Sequence, residues 1–157
     1  MAEQPHYRAP GRITRSMLNP VVLAATRAGI SIWGSRMLEV RGRTSGEVRR
    51  TPVNVLELDG QPYLVSARGN GQWVRNVRAA GGQLTLVVGR RRQAFVAEEI
   101  TGQAKADILR AYLRRWKMEV GAFFDGVDAS ASDAELLRIA PDHPVFRLVA
   151  APAGAVA

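Results

Sequence analysis

The chain of 157 residues contains no cysteine, which excludes disulfide bonds, thiolate nucleophiles and cysteine-ligated metal. Histidine is almost absent as well. His6 and His143 lie near opposite ends of the sequence, so no histidine-ligated metal site is expected. Aromatic residues make up only 6% of the chain and do not alternate with arginines, as stacking platforms for single-stranded nucleic acid would require. A catalytic thiol and a metal site built from cysteine or histidine are therefore not expected.

Long hydrophobic runs are also lacking. No apolar run reaches membrane-spanning length, and the N-terminus lacks the layout of a secretory signal, which predicts a cytoplasmic protein. The apolar content of 46% and the charged content of 23% are ordinary for a globular protein. The length predicts one domain over residues 1–157, with mobile ends at 1–11 and 152–157.

The charge is less ordinary, because the formal net charge is +8 and nearly all of the 22 basic residues are arginines. Such a surplus favours an anionic partner: nucleic acid, acidic lipid headgroups or an anionic cofactor. Several arginines flank the apolar segment 12–33, in which Asn19-Pro20 begins a predicted helix. This N-terminal segment is expected to pack on the core, to rest on a membrane surface or to cover a lipophilic pocket.

Hydrophobic periodicity and turn residues predict six strands and three helices after that segment. The predicted strands cover 36–42, 49–58, 63–67, 84–88, 93–100 and 144–149, and the predicted helices cover 73–80, 103–124 and 132–139. Asp59-Gly60 is a strong hairpin turn, and Ser132 with Glu135 forms a capping box. Because hairpin signals join the strands, the predicted fold is mainly β (α+β), a mostly antiparallel sheet that is closed or nearly closed as a small barrel.

The segment from Val40 to Leu56 places a polar turn between two β-prone runs. Arg43-Thr44-Ser45-Gly46 supplies a guanidinium, two hydroxyls and a backbone that can take positive φ, and Arg49-Arg50 adds charge on the outgoing strand. Such groups converging on one turn suit a phosphate or a carboxylate. A hairpin with a solvated basic tip would have the same composition, so both interpretations stay open.

Four stretches taken together resemble the deazaflavin-dependent nitroreductase family: G-R-T-S-G-E-V-R-R-T-P-V, the D-G hairpin, Y-L-V-S-A-R-G and W-V-R-N-V-R-A-A-G. The resemblance covers residues 32–100, with a looser match at 144–148. It implies a split β-barrel of the FMN-binding type, with about six antiparallel strands, an N-terminal helix and one long helix packed outside. It also implies a reductase of nitroreductase or quinone reductase type that uses reduced coenzyme F420, an 8-hydroxy-5-deazaflavin. The hydride acceptor would be electron-poor: a quinone, a nitroaromatic or an enone.

The resemblance implies roles for those residues of this chain that match the family's motifs. The turn would hold the coenzyme's phosphate and glutamyl tail, and residues 53–56 and 65–68 would form the walls around its ring. Trp73 and Asn76 would fix the short helix beneath the loop that follows Arg68. The cofactor-binding residues so implied are Arg43, Thr44, Ser45, Gly46, Glu47, Val48, Arg49, Val53, Asn54, Val55, Leu56, Val65, Ser66, Ala67, Arg68, Trp73 and Asn76. Ser66 and Tyr112 are the catalytic candidates, because a hydroxyl near the ring could stabilise charge on the acceptor. The family often has lysine where Thr44 and Arg68 stand, and proline where Gln72 stands.

Two alternatives stay open from the sequence. The same barrel could bind FMN or haem in place of F420. A protein of another class would bind nucleic acid through Arg90-Arg91-Arg92 and Arg114-Arg115. The expected partner is a small-molecule electron acceptor rather than nucleic acid. The chain is expected to be a monomer or a homodimer, with peripheral membrane contact through 12–33.

Overall fold

The computed structural model describes residues 35–152, which contain six β-strands, three α-helices and two short 3-10 helices. The strands are β1 (Ser35–Arg41), β2 (Val48–Leu58), β3 (Gln61–Val65), β4 (Gln83–Val88), β5 (Arg91–Ile100) and β6 (Val145–Ala150). The helices are α1 (Gln72–Ala79), α2 (Ala104–Val120) and α3 (Asp133–Ile139), with 3-10 turns at Gly121–Phe123 and Ala140–Asp142. The predicted helix within 12–33 lies outside the described residues.

The six strands form a closed barrel in the order β1, β2, β3, β6, β5, β4. β1 pairs antiparallel with β2, from Ser35 opposite Asn54 to Arg41 opposite Val48. The ladders between β1 and β4, between β3 and β6 and between β4 and β5 are antiparallel too. The predicted mainly-β fold, with six antiparallel strands that form a barrel, is therefore confirmed.

Local turn chemistry explains how the strands are joined. Asp59 and Gly60, between β2 and β3, have φ values of 52° and 77°, the backbone that a two-residue hairpin requires. The predicted strand 63–67 was wrong at its far end, because β3 stops at Val65. Ser66 already turns the chain, since its hydroxyl donates a hydrogen bond to the Gly69 carbonyl at 2.5 Å.

The described residues divide into two compact units. The helical unit consists of residues 56–71 and 99–147, and the turn unit of residues 35–55, 72–98 and 148–152. The turn unit carries ten arginines and three glutamates, whereas the helical unit carries eight basic and ten acidic residues. Within the described residues, the positive charge is therefore concentrated in the turn unit.

The helical unit is built around the apolar stripe of α2, whose Leu109, Leu113 and Trp116 are almost fully buried. The predicted helix 103–124 was too long, because α2 is kinked at Trp116 (φ −122°, ψ 23°) and gives way to a 3-10 turn at Gly121. The capping box is confirmed: the Ser132 hydroxyl accepts the Glu135 N–H at 3.3 Å. None of the described helices is long and apolar enough to span a membrane.

In the turn unit, α1 contacts β1, and apolar side chains of β1 and β4 are buried. Leu38 is fully buried, as are Val74 and Val77 of α1. α1 ends at the glycine pair 81–82, where Gly82 has φ 86° and its N–H donates to the Val77 carbonyl. The helix is thus held at a defined place in the unit, which matters because two of its side chains reach the turn between β1 and β2.

Candidate functional site

The turn between β1 and β2, residues 42–47, is closed by its own backbone. The Gly42 N–H donates to the Glu47 carbonyl at 2.7 Å, and the Gly46 N–H donates to the Gly42 carbonyl at 2.9 Å. Gly46 has φ 74°, a conformation that strains any residue with a Cβ. The turn therefore presents the side chains of residues 43–45 from a well-defined backbone.

Ser45 links the turn to the outgoing strand. Its hydroxyl oxygen accepts hydrogen bonds from the Glu47 N–H at 3.2 Å and from Arg49 Nη2 at 3.3 Å. Both bonds use the hydroxyl as an acceptor, so its own hydrogen can be donated to a ligand. The Arg49–Glu47 ion pair is long, at 3.9 Å, and exposed, so it does little to neutralise Arg49.

Helix α1 anchors Arg43. The carboxamide oxygen of Asn76 accepts from the Arg43 backbone N–H at 3.2 Å and from Arg43 Nη1 at 2.8 Å. The same Nη1 donates to Gln72 Oε1 at 2.9 Å. Asn76 is only 4% exposed, which makes it a buried polar group with its oxygen satisfied by the turn. Turn and helix thus form one hydrogen-bonded assembly.

These groups surround an open cleft of about 540 Å³. Its lining consists of Gly42, Arg43, Thr44, Ser45, Val48, Arg49, Arg50, Thr51, Gln72, Trp73 and Asn76. The lining includes three guanidinium groups and three hydroxyls, and no carboxylate. Val48, 51% exposed, and the half-buried Trp73 add apolar surface. A cleft of this chemistry suits an anionic group attached to an apolar body.

Glu39 supports the cleft from β1. Its carboxylate lies 2.8 Å from Arg50 Nε and 2.5 Å from Arg92 Nη2, and its side chain is only 8% exposed. The hydrogen bond from Arg92 has the largest effect and lowers the pKa of Glu39. Burial opposes this effect and Arg50 adds to it, so that the pKa is lowered overall. The same bond raises the pKa of Arg92. Glu39 therefore remains ionised and holds Arg50 at the edge of the cleft.

The residues predicted to surround the coenzyme's ring are 53–56, which belong to β2, and 65–68, which belong to the helical unit. Val55, Leu56 and Val65 are buried, while Val53 and Asn54 are half-buried. After β3, the chain forms a tight loop at 66–71, in which Gly71 N–H donates to the Gly69 carbonyl at 2.8 Å. The guanidinium of Arg68 lies over the Phe123 ring, 5.1 Å from its centroid.

Ser66 is held on both sides by the two residues that precede β6. Its N–H donates to the Pro144 carbonyl at 2.8 Å, and its carbonyl oxygen lies 3.3 Å from His143 Nδ1. Because a carbonyl only accepts, His143 donates from Nδ1 in this contact. The His143 ring is 1% exposed and stacks on Phe124 with centroids 4.0 Å apart. The sequence indicated no role for this histidine.

Tyr112 lies inside the helical unit, 4% exposed, with its ring 5.0 Å from that of Trp116 and 6.2 Å from that of Phe124. It belongs to the aromatic cluster that also contains His143. Both catalytic candidates are thus attached to one cluster, Ser66 through its backbone and Tyr112 through its ring.

The cleft brings together seven of the predicted residues, namely Arg43, Thr44, Ser45, Val48, Arg49, Trp73 and Asn76. Gly46 and Glu47 belong to the turn without lining the cleft. The cleft lining also contains Arg50, which the sequence indicated only as added charge beside the turn, and Gly42, Thr51 and Gln72, which the predicted site did not include. For Gln72 a signal was present: it precedes Asn76 by four residues, a spacing that places two amides on one helix face.

Known structures share this fold at low identity. A structure described as an F420-H2 dependent reductase, FDR-A, has a TM-score of 0.51 at 17% identity, covering 74% of this chain and 94% of that chain. A structure described as a domain-swapped dimer has 0.55 at 16%, covering 90% and 100%. The heme storage protein HutZ from Vibrio cholerae has 0.53 at 9%, covering 86% and 91%. No curated protein sequence matches the chain. At these identities the likeness defines the class of fold alone, a split β-barrel.

The amino-acid sequence shows which family the chain belongs to. The family described as F420H(2)-dependent quinone reductase matches residues 19–128, more than half of the chain. The protein belongs to the F420H(2)-dependent quinone reductase family, and it is an F420-dependent reductase whose cofactor is coenzyme F420. This decides between F420 and the alternatives of FMN and haem.

The cleft fits the anionic part of this coenzyme. Its donors are guanidinium and hydroxyl groups, and the fork of Arg43 is already oriented by α1. Phosphate and carboxylate groups are the ligands that such donors prefer. The residues present therefore suit the group that the family requires.

Proposed function

We propose that the protein reduces an electron-poor apolar acceptor, a quinone first and also an enone or a nitroaromatic, with F420 held by the cleft at the β1–β2 turn. When bound, reduced F420 supplies the hydride, while the protein contributes binding and orientation. The observation that carries the proposal is the cleft itself. Three arginines and three hydroxyls face one volume whose lining contains no carboxylate.

The residues would divide the work of binding. Arg43, Arg49 and the hydroxyls of Thr44 and Ser45 would bind the anionic arm, with Gly46, Glu47, Trp73 and Asn76 holding the turn and helix in place. Val48, which lines the cleft, is a further proposed contact of the cofactor. The proposed walls of the coenzyme's ring are Val53, Asn54, Val55 and Leu56 of β2, and Val65, Ser66, Ala67 and Arg68 around the end of β3. An anionic arm and a planar ring need these two kinds of surface, a charged one and a mostly apolar one.

Ser66 and Tyr112 are the proposed catalytic residues. Negative charge develops on the acceptor as the hydride arrives, and a hydroxyl can stabilise it or supply a proton. The Ser66 hydroxyl donates to the Gly69 carbonyl, so assisting the acceptor would require exchanging that bond. Tyr112 is buried with Trp116 and Phe124, so it would act only where the acceptor reaches the aromatic cluster.

Reduction of an enone with stereospecifically deuterated F420 tests the proposed reaction. Direct transfer predicts deuterium on carbon in the reduced enone, without prior exchange with solvent. Solvent hydrogen at that carbon would contradict direct transfer to this acceptor. Equal activity with NADPH and FMN would contradict the dependence on F420.

Assembly and location are proposals of the same kind. We propose one functional domain over 1–157, because β2, β5 and β6 each contribute residues to both compact units. A homodimer is proposed because one neighbour is described as a domain-swapped dimer.

A cytoplasmic enzyme with peripheral membrane contact through 12–33 is proposed from the arginines that flank this apolar segment. Sedimentation with anionic vesicles, comparing the full chain with a folded chain that begins near Ser35, tests the membrane contact.

A further inference from the structure

We propose that Gln72 is a positioning residue for the cofactor: together with Asn76 it fixes the guanidinium of Arg43 in the orientation that binds an anion. This inference rests on the proposed role of the cleft. It assigns a function to a side chain that neither the family resemblance nor the expected site residues had included.

The hydrogen bonds of Arg43 carry the inference. Nη1 donates to Gln72 Oε1 at 2.9 Å and to Asn76 Oδ1 at 2.8 Å. Because Nη1 carries two hydrogens, these two amides use both of them. The Nε hydrogen and one Nη2 hydrogen, which lie along one edge of the guanidinium, are left for a ligand. That edge is a fork suited to two parallel hydrogen bonds with a phosphate or carboxylate.

The two amides are fixed by the helix that bears them. Gln72 and Asn76 stand four residues apart on α1, so their side chains share one face. Val74 and Val77 of the same helix are fully buried, and Asn76 is 4% exposed. The two acceptor oxygens are therefore attached to a helix that is anchored by buried residues, and they restrict the orientation of the exposed Arg43 side chain.

Orientation before binding has a measurable consequence. A free arginine loses much side-chain freedom when it binds a ligand, and a guanidinium already held in place loses less. Gln72 is exposed and α1 is anchored by its valines, so replacing Gln72 removes the amide without opening the core. Gln72→Leu keeps a good helix-forming residue at this position.

A double-mutant cycle tests the inference, with F420 affinity measured by fluorescence for wild type, Gln72→Leu, Arg43→Ala and the double variant. Gln72→Leu is expected to weaken binding about three- to tenfold, the scale of one hydrogen bond. In the Arg43→Ala background the same substitution should have no further effect, because its partner is gone. Gln83→Leu, at the exposed start of β4, is the matched control and should bind like wild type.

The outcomes separate this inference from the function on which it rests. If Arg43→Ala binds F420 like wild type, the proposed cleft is wrong and the inference fails with it. If Arg43→Ala weakens binding but Gln72→Leu does not, or acts equally in both backgrounds, only the inference fails.

The unliganded protein provides a second readout. With both Nη1 hydrogens bonded, rotation about the Nε–Cζ bond of Arg43, which exchanges Nη1 with Nη2, should be slow enough for separate Nη resonances in NMR spectra. Gln72→Leu should speed this rotation, whereas Gln83→Leu should not. Equal rotation rates in wild type and Gln72→Leu would overturn the inference, even if the affinities differ.

Discussion

Glu39 on β1 and Arg92 on β5 form an ion pair at 2.5 Å although β4 lies between their strands. Arg50, directly opposite Glu39 on β2, binds the other carboxylate oxygen. One nearly buried carboxylate thus joins residues from three strands, and one of its partners lines the cleft. Removing this carboxylate would leave the guanidinium groups of Arg50 and Arg92, both more than half exposed, without their shared partner.

This pair predicts a pH dependence of stability. The folded state lowers the pKa of Glu39 from its ordinary value of 4.5, with Arg92 as the largest cause. A group whose pKa is lowered by folding stabilises the protein fully above its unfolded pKa, and this contribution is lost as pH falls through the folded pKa. The free energy of unfolding should therefore fall in acid below about pH 4.5. Urea unfolding should show a shallower fall for Glu39→Gln than for wild type. The exposed Glu47→Gln should behave like wild type, and an unchanged slope in Glu39→Gln would contradict the prediction.

Arg43→Ala should weaken F420 binding by about 1.5–3 kcal/mol, the scale of hydrogen bonds to a charged group. The comparison is Arg90→Ala, in the other arginine-rich turn and outside the cleft lining, which should leave the affinity nearly unchanged. A fluorescence titration with F420 measures both. Equal affinities of the two variants would mean that the cleft does not hold the anionic arm.

Asn76→Ala should affect stability as well as binding. The substitution removes the acceptor of the Arg43 N–H and of Nη1, which predicts a loss of about 1–3 kcal/mol in the free energy of unfolding. Gln72→Ala, whose side chain is exposed, should cost less than about 0.5 kcal/mol. Chemical denaturation distinguishes the two, and similar losses for both would show that the buried amide has no special structural role.

Alanine substitutions in the glycine pair after α1 test how closely the backbone packs against β5. A Cβ at Gly82 would lie 2.4 Å from the Ala97 carbonyl oxygen, whereas one at Gly81 would have nothing within 4 Å. Both glycines have positive φ, so alanine at either costs about 1–2 kcal/mol of stability. Gly82→Ala should lose a further 1–3 kcal/mol, roughly, from steric overlap. Thermal unfolding of both variants measures the difference, which would vanish if β5 were free to move away.

Ser66→Ala and Tyr112→Phe should lower turnover by about 10²-fold or less, because each removes only a proton donor or a polarising group. A larger side chain at Ala67, in the loop after β3, should reduce turnover more, because it would displace the reacting atoms from alignment. Single-turnover kinetics with saturating F420 measure these effects. A greater loss in Tyr112→Phe than in the Ala67 variant would place the chemistry at the aromatic cluster.

The parts of this protein that the sequence predicted well are local ones. The Asp59-Gly60 hairpin and the Ser132 cap depend on residues a few positions apart, and they are present as expected. The turn at 42–47 could be located for the same reason, since its glycines and hydroxyls are adjacent. The errors lay at the ends of elements. The predicted strand ran past Val65 to include Ser66, whose backbone bonds to another segment, and the predicted helix ran past the kink in α2.

The sequence by itself determined that the chain forms a barrel of hairpins with a basic turn, because periodicity and turn residues act over short distances. Only the tertiary structure decided which arginines have partners. Arg43 meets Gln72 from 29 residues away, and Arg92 meets Glu39 from 53 residues away. These contacts depend on strand register and on the placement of α1, which follow from burial of the whole core. Such long-range pairing leaves no mark in the spacing of the residues concerned.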